Sequence, residues 1–163
     1  MRAVVELRAT RGRTWFGTLT LAPQSHFEVV SRIRLRLAKR GEDFDTFPET
    51  RQFSERVHEI GKEITLWLKR VRKESAAKLR YVLVAERHKS GLPHFHLLVH
   101  EVCEDRPVAE RTLRKQWHLG FSQFKLVAQG DETRTAGYVA KYLTKSALAR
   151  VRSSVGYGLG SEV

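Results

Sequence analysis

The chain has 163 residues, enough for one domain with a real apolar core. Lys and Arg number 30 against 18 Asp and Glu, and this net charge of +12 favours a polyanionic partner, nucleic acid ahead of a membrane, because no stretch approaches the ~18 apolar residues of a span. The single Cys103 excludes an internal disulfide and a Cys-x-x-Cys zinc pattern and suits a reducing cytosol, no GxxxxGK(S/T) loop announces an ATPase, and Met1 to Glu6 holds no signal-peptide core.

Ala3 to Arg8 and Trp15 to Leu21 are short, β-rich and separated by Arg11-Gly12, so they read as two strands with a hairpin-like link, the second closed by Pro23. Ser25 is a candidate cap for a helix to about Lys39, stopped by Gly41, although Ile33, Leu35 and Leu37 alternate as in a strand. From Glu49 to Lys73 the helical signal is stronger: Phe53, Val57, Ile60, Ile64, Trp67, Leu68 and Val71 recur at spacings of three and four. The cations of this segment lie mostly off that stripe, the pattern of a solvated face on a core-packed helix. Leu79 to Glu86 and His94 to His100 form two strands around a loop. Pro107 to His118 reads as a helix stopped by Gly120, Phe121 to Ala128 as a strand, and Thr133 to about Ala149 as a last helix. Residues 1–150 are expected as one domain, and residues 151–163, rich in Gly and Ser, as a flexible tail. Strands interspersed with helices, some joined as hairpins, imply an α+β fold: a central antiparallel sheet of about five strands with packed helices.

The most telling stretch is His94-Phe95-His96. Side chains alternate along a strand, so both imidazoles point to one side and Phe95 to the other. In an antiparallel hairpin Glu86, ending one strand, lies opposite His94, with Cβ atoms about 5 Å apart. A carboxylate and two imidazoles with open positions suit a divalent ion that must still accept substrate oxygens. His100 shares the parity but lies about 13 Å from His96 along the strand, beyond the same shell. His88, in the loop, is a possible substitute for Glu86. Cys103 reads as a buried or loop thiol.

A second cluster lies in the last helix. At about 100° per residue, Tyr142 falls near 40° from Tyr138 and Lys145 near −20°, so the three form one stripe, with Lys141 a flanking cation. A phenol with pKa about 10 is a weak nucleophile at neutral pH. Beside a metal-polarised phosphate and a lysine it can attack phosphorus, leaving a 5′-phosphotyrosine link and a free 3′-hydroxyl. The phosphodiester's energy stays in that link, so the strand can be rejoined without ATP. The plainer possibility is that both tyrosines are amphipathic packing residues, with Tyr81 in the core and Tyr157 in the tail.

Three segments, in order, resemble the motifs of rolling-circle replication initiators of the HUH endonuclease superfamily. Phe16-Gly17-Thr18-Leu19-Thr20 looks like the first, His94-Phe95-His96-Leu97-Leu98-Val99 the second, and Val139-Ala140-Lys141-Tyr142-Leu143-Thr144-Lys145 the third. Tyr138 resembles the partner of the two-tyrosine branch, and within it the likeness is greatest to the initiation proteins of microviruses and their prophage relatives. The resemblance implies a sheet related to the RNA-recognition (ferredoxin-like) fold. It implies Mg²⁺ or Mn²⁺ on His94, His96 and Glu86, Tyr142 as principal nucleophile, Tyr138 as the second, Lys145 as an aid, and DNA contacts from Thr18, Thr20 and Lys141. The implied partner is a single-stranded DNA origin in a bacterial host cytoplasm, with unwinding by a host helicase because no helicase part is seen. Alternatives are a single-strand transposase of the same superfamily, a relaxase, a zinc hydrolase, and a non-catalytic basic domain that binds nucleic acid by charge and stacking.

Overall fold

A computed structural model describes residues 12–128, 130, 131, 133–135, 137, 141, 150–155 and 157. Its elements run β1 (Thr14–Leu19), α1 (Pro23–Ala38), a 3-10 turn (Phe44–Thr46), α2 (Glu49–Ser75), β2 (Leu79–Arg87), β3 (Pro93–Glu101), α3 (Glu110–Lys115), β4 (Ser122–Leu126) and β5 (Arg150–Ser153). The five strands make one antiparallel sheet in the order β4-β1-β3-β2-β5, with helices packed on it, an α+β fold. The first expected strand, Ala3 to Arg8, lies outside the described residues. Among those described, no helix is long and apolar enough to cross a membrane.

Strand alternation divides the sheet. Trp15 and Leu19, Leu83 and Ala85, Phe95, Leu97 and Val99, and Phe124 share one face and join the apolar sides of α1 and α2 in a single core. On α2, Phe53, Ile60, Ile64, Trp67, Leu68 and Val71 are buried, as their spacing demands. Its cations are largely engaged within the molecule: Arg51 with Glu42, Lys62 with Glu59, and the Arg70 and Arg72 guanidinia on the carbonyls of Gln116 and Leu79. Gly17 lies directly under the Phe124 ring, where a Cβ would come within 2.5 Å of ring carbon. A glycine here lets an aromatic ring lie flat on the strand backbone.

Several boundaries differ from expectation for identifiable reasons. Pro23 opens α1 rather than closing a strand: it occupies the first turn, where its missing N–H costs nothing. Ile33 and Leu37 are buried while Leu35 is exposed, so their order is helical, not alternating. The expected 107–118 helix contracts to α3 because the Val108 amide is drawn out to the buried Glu101 carboxylate, 2.9 Å away. That carboxylate also accepts from Arg13 and from Trp15 Nε1.

The start of the expected tail is structured. Residues 150–153 pair with Val82 to Ala85 of β2, and Arg152 reaches α2, donating to the Gly61 carbonyl and the Thr65 hydroxyl, each at 2.8 Å. Tyr157, expected in the same tail, is buried.

Candidate functional site

The second face of the sheet carries Thr14, Phe16 and Thr18 of β1, Glu86 of β2, and His94, His96 and His100 of β3. Its geometry begins with the β2–β3 hairpin. Gly91, at φ 80, turns the loop, the His88 amide donates to Leu92 O, and the register sets Glu86 opposite His94. This pairing was legible in the sequence from the hairpin alone.

The side chains refine it. Glu86 Oε2 lies 3.3 Å from His96 Nε2, on the diagonal of the ladder. On its other side, His96 Nδ1 lies 3.2 Å from Thr18 Oγ1, across the β1–β3 ladder, and the ring is stacked on Phe16 with centroids 6.2 Å apart. His94 sits two residues away on the same face, with its ring flat against His88 at 4.4 Å. Burial lowers the pKa of His96 and outweighs the Glu86 carboxylate, which raises it. His94 is lowered by burial and by His88, against a smaller raising effect of Glu86. Both imidazoles are therefore neutral at pH 7, with a lone pair to give, and the Glu86–His96 contact is not an ion pair at that pH.

A divalent ion can be tested against this donor set. Two cis ligands of a Mg²⁺-sized ion stand roughly 3 Å apart, from bond lengths of about 2.1 Å. Glu86 Oε2 and His96 Nε2 meet that spacing, and the Thr18 hydroxyl, at His96 Nδ1, holds the ring with Nε2 toward Glu86. The chain thus brings two of the three expected ligands together. His94, the third, is turned onto His88, and among the described residues no group of three or more His, Cys, Asp or Glu is disposed to hold a metal.

Of the residues expected to contact DNA, Thr18 serves His96, the Thr20 hydroxyl donates to the Phe121 carbonyl at 3.2 Å, and Lys141 is exposed in a helical stretch. Residues 133–135, 137 and 141 are helical, as read from sequence. Tyr138, Tyr142 and Lys145 lie outside the described residues. His100, set apart by distance, belongs to a different structure: its Nδ1 is 2.9 Å from Thr14 Oγ1 and its Nε2 is 2.7 Å from the Tyr157 hydroxyl. The roles of Phe16 and Thr18 were not legible, because they depend on a β1–β3 register joining residues about eighty apart in sequence.

Residues 14–147 match the family model described as Replication-associated protein ORF2. No curated protein matches this chain.

Proposed function

The chain belongs to the Replication-associated protein ORF2 family, and on that footing we propose that it is a site-specific single-stranded DNA endonuclease and ligase of the HUH type that starts rolling-circle replication. The observation that carries the reading is the Glu86–His96 contact, tied to Thr18 of the first motif and set beside His94 on one strand face. The two-tyrosine branch, and within it the microvirus-like initiators, is where the motifs fit.

In this reading the Tyr142 phenol oxygen attacks the phosphorus of the origin strand. The phenol gives up its proton to solvent, a new bond joins its oxygen to phosphorus, the bond to the 3′ oxygen breaks, and that oxygen takes a proton from solvent and leaves as a 3′-hydroxyl. Mg²⁺ or Mn²⁺, when bound, would polarise the phosphate and offset charge growing on it. Glu86, His96 and His94 would hold the ion, Thr18 would fix His96, and Lys145 would steady the phenolate. Tyr138 would act in a second transfer that ends the round. Thr20 and Lys141 would contact the strand, a host helicase would unwind it, and the bacterial cytoplasm is the proposed setting.

One observation favours a second reading. The His88–His94 stack leaves two donors rather than three in contact, which a non-catalytic nucleic-acid binder would also show. A denaturing gel separates the two. With Mn²⁺ and a panel of origin strands, the wild type should form a covalent adduct on the 5′ side of the nick, and EDTA should abolish it. Tyr142→Phe should reduce the adduct and the double change with Tyr138→Phe should remove it. An adduct that survives in the double variant refutes the tyrosine assignment, and salt-sensitive binding with no adduct on any strand establishes the binder.

A further inference from the structure

The β4 edge of the sheet carries a cavity of about 420 Å³, lined by Arg111, Arg114 and Lys115 of α3 together with Gly120, Phe121 and Ser122. All three cations are exposed, and the Phe121 ring, 61 % exposed, stands among them. Glu110 lies 3.8 Å from Arg114 and Glu74 lies 4.0 Å from Lys115, long contacts between exposed groups that leave three cations against two carboxylates. A lone exposed aromatic is ordinary on a protein surface, but one set among three cations offers a ligand charge and a stacking face together.

The backbone that carries the ring is firmly set. The Trp117 indole donates to Thr20 O at 2.9 Å, the Thr20 amide donates to Phe121 O at 2.9 Å, and the Ala22 amide donates to Leu119 O at 2.8 Å. Gly120 permits this approach, since a Cβ there would fall 2.4 Å from the Ala22 nitrogen. Register then relates the cavity to the candidate site. Thr18 pairs with His96 on one side and Gln123 on the other. Phe121 lies two residues before Gln123, just ahead of β4, where its carbonyl still accepts from the Thr20 amide. Two interstrand steps and two residues along β4 separate it from His96, roughly 12 Å in all.

We infer that this cavity is a subsite for single-stranded DNA flanking the reacting phosphate, one base stacking on Phe121 while Arg111, Arg114 and Lys115 hold its phosphates. The inference rests on the nuclease reading. Stacking on an aromatic beside cations is how single strands are gripped without sequence readout.

The test is fluorescence anisotropy of a labelled oligothymidine, titrated at several salt concentrations against the full chain. Phe121→Ala should weaken binding about tenfold, and Phe121→Trp should retain it. Arg111→Ala with Arg114→Ala should weaken binding and lower the slope of log K against log salt by about 0.7 for each phosphate that is no longer neutralised. A 2-aminopurine placed in the strand should be quenched by the wild type and not by Phe121→Ala. If the variants bind like the wild type, or if Phe121→Trp loses as much as Phe121→Ala, the subsite is overturned. That failure is distinct from failure of the nuclease reading, in which the wild type itself forms no adduct with Mn²⁺.

Discussion

At the scale of single residues, the candidate site turns on a hydroxyl. Thr18 Oγ1, 3.2 Å from His96 Nδ1, holds the ring with Nε2 toward Glu86, and in the proposed metal site such an outer partner governs affinity by about ten- to a hundredfold. Thr18→Val keeps the shape and the β-branched backbone preference and removes only the hydroxyl. The expected outcome is Mn²⁺ affinity at least tenfold weaker in a calorimetric titration, restored by Thr18→Ser. Unchanged affinity in the valine variant would show that His96 is oriented by Phe16 packing alone. The histidines themselves were readable in the sequence because i and i+2 in a strand have one geometric meaning. Thr18 was readable only as part of a motif, since nothing local in β1 says which residue of β3 it will meet.

At the scale of elements, the structure follows the sequence where the signal is local and departs where partners are remote. The α2 stripe is fixed by 3.6-residue periodicity, so its extent came through nearly whole. The 107–118 segment is shortened by a demand from Glu101, on another element. β5 has only four residues, and two arginines among them hide the strand signal until β2 is there to pair with. The same remoteness hid the link between His100 and Tyr157, which ties the C-terminal segment to the second face. His100 is fully buried, and its pKa is lowered to about 3, first by burial and then by Arg80. Its unfolded value is about 6.5. Because the folded value is the lower one, the unfolded chain binds the extra proton as pH falls. The neutral imidazole's contribution is complete above pH 6.5 and is lost progressively between 6.5 and 3, at no more than about 1.4 kcal/mol per pH unit. Urea unfolding at pH 7 and pH 5 should show this loss, and His100→Gln should flatten it. Equal pH slopes in wild type and variant would assign the acid sensitivity to other groups.

At the scale of the whole molecule, the question is where the folded unit ends. A boundary at residue 150 would leave β2 as a sheet edge, with a row of unpaired N–H and C=O groups beside β3. The structure instead covers that edge with β5, anchors β5 to α2 through Arg152, joins the Ser154 amide to the Tyr81 carbonyl at 2.9 Å, and seals His100 with Tyr157. These contacts tie the C-terminal segment to β2, β3 and α2 at once. Removing them costs the ladder, the Arg152 hydrogen bonds and a partner for a buried imidazole. Hydrogen bonds of this kind contribute about 1 kcal/mol each, and an orphaned buried nitrogen costs about 1–3 kcal/mol. A loss on the order of 4 kcal/mol in a chain of this size lowers the melting temperature by about 10 °C. A chain ended at residue 149 should therefore melt about 10 °C lower by circular dichroism and, with its β2 edge bare, should elute as aggregates on size exclusion. Melting and elution like those of the full chain would show that residues 150–157 are an appendage, and would return the domain boundary to where the glycine-rich composition first suggested it.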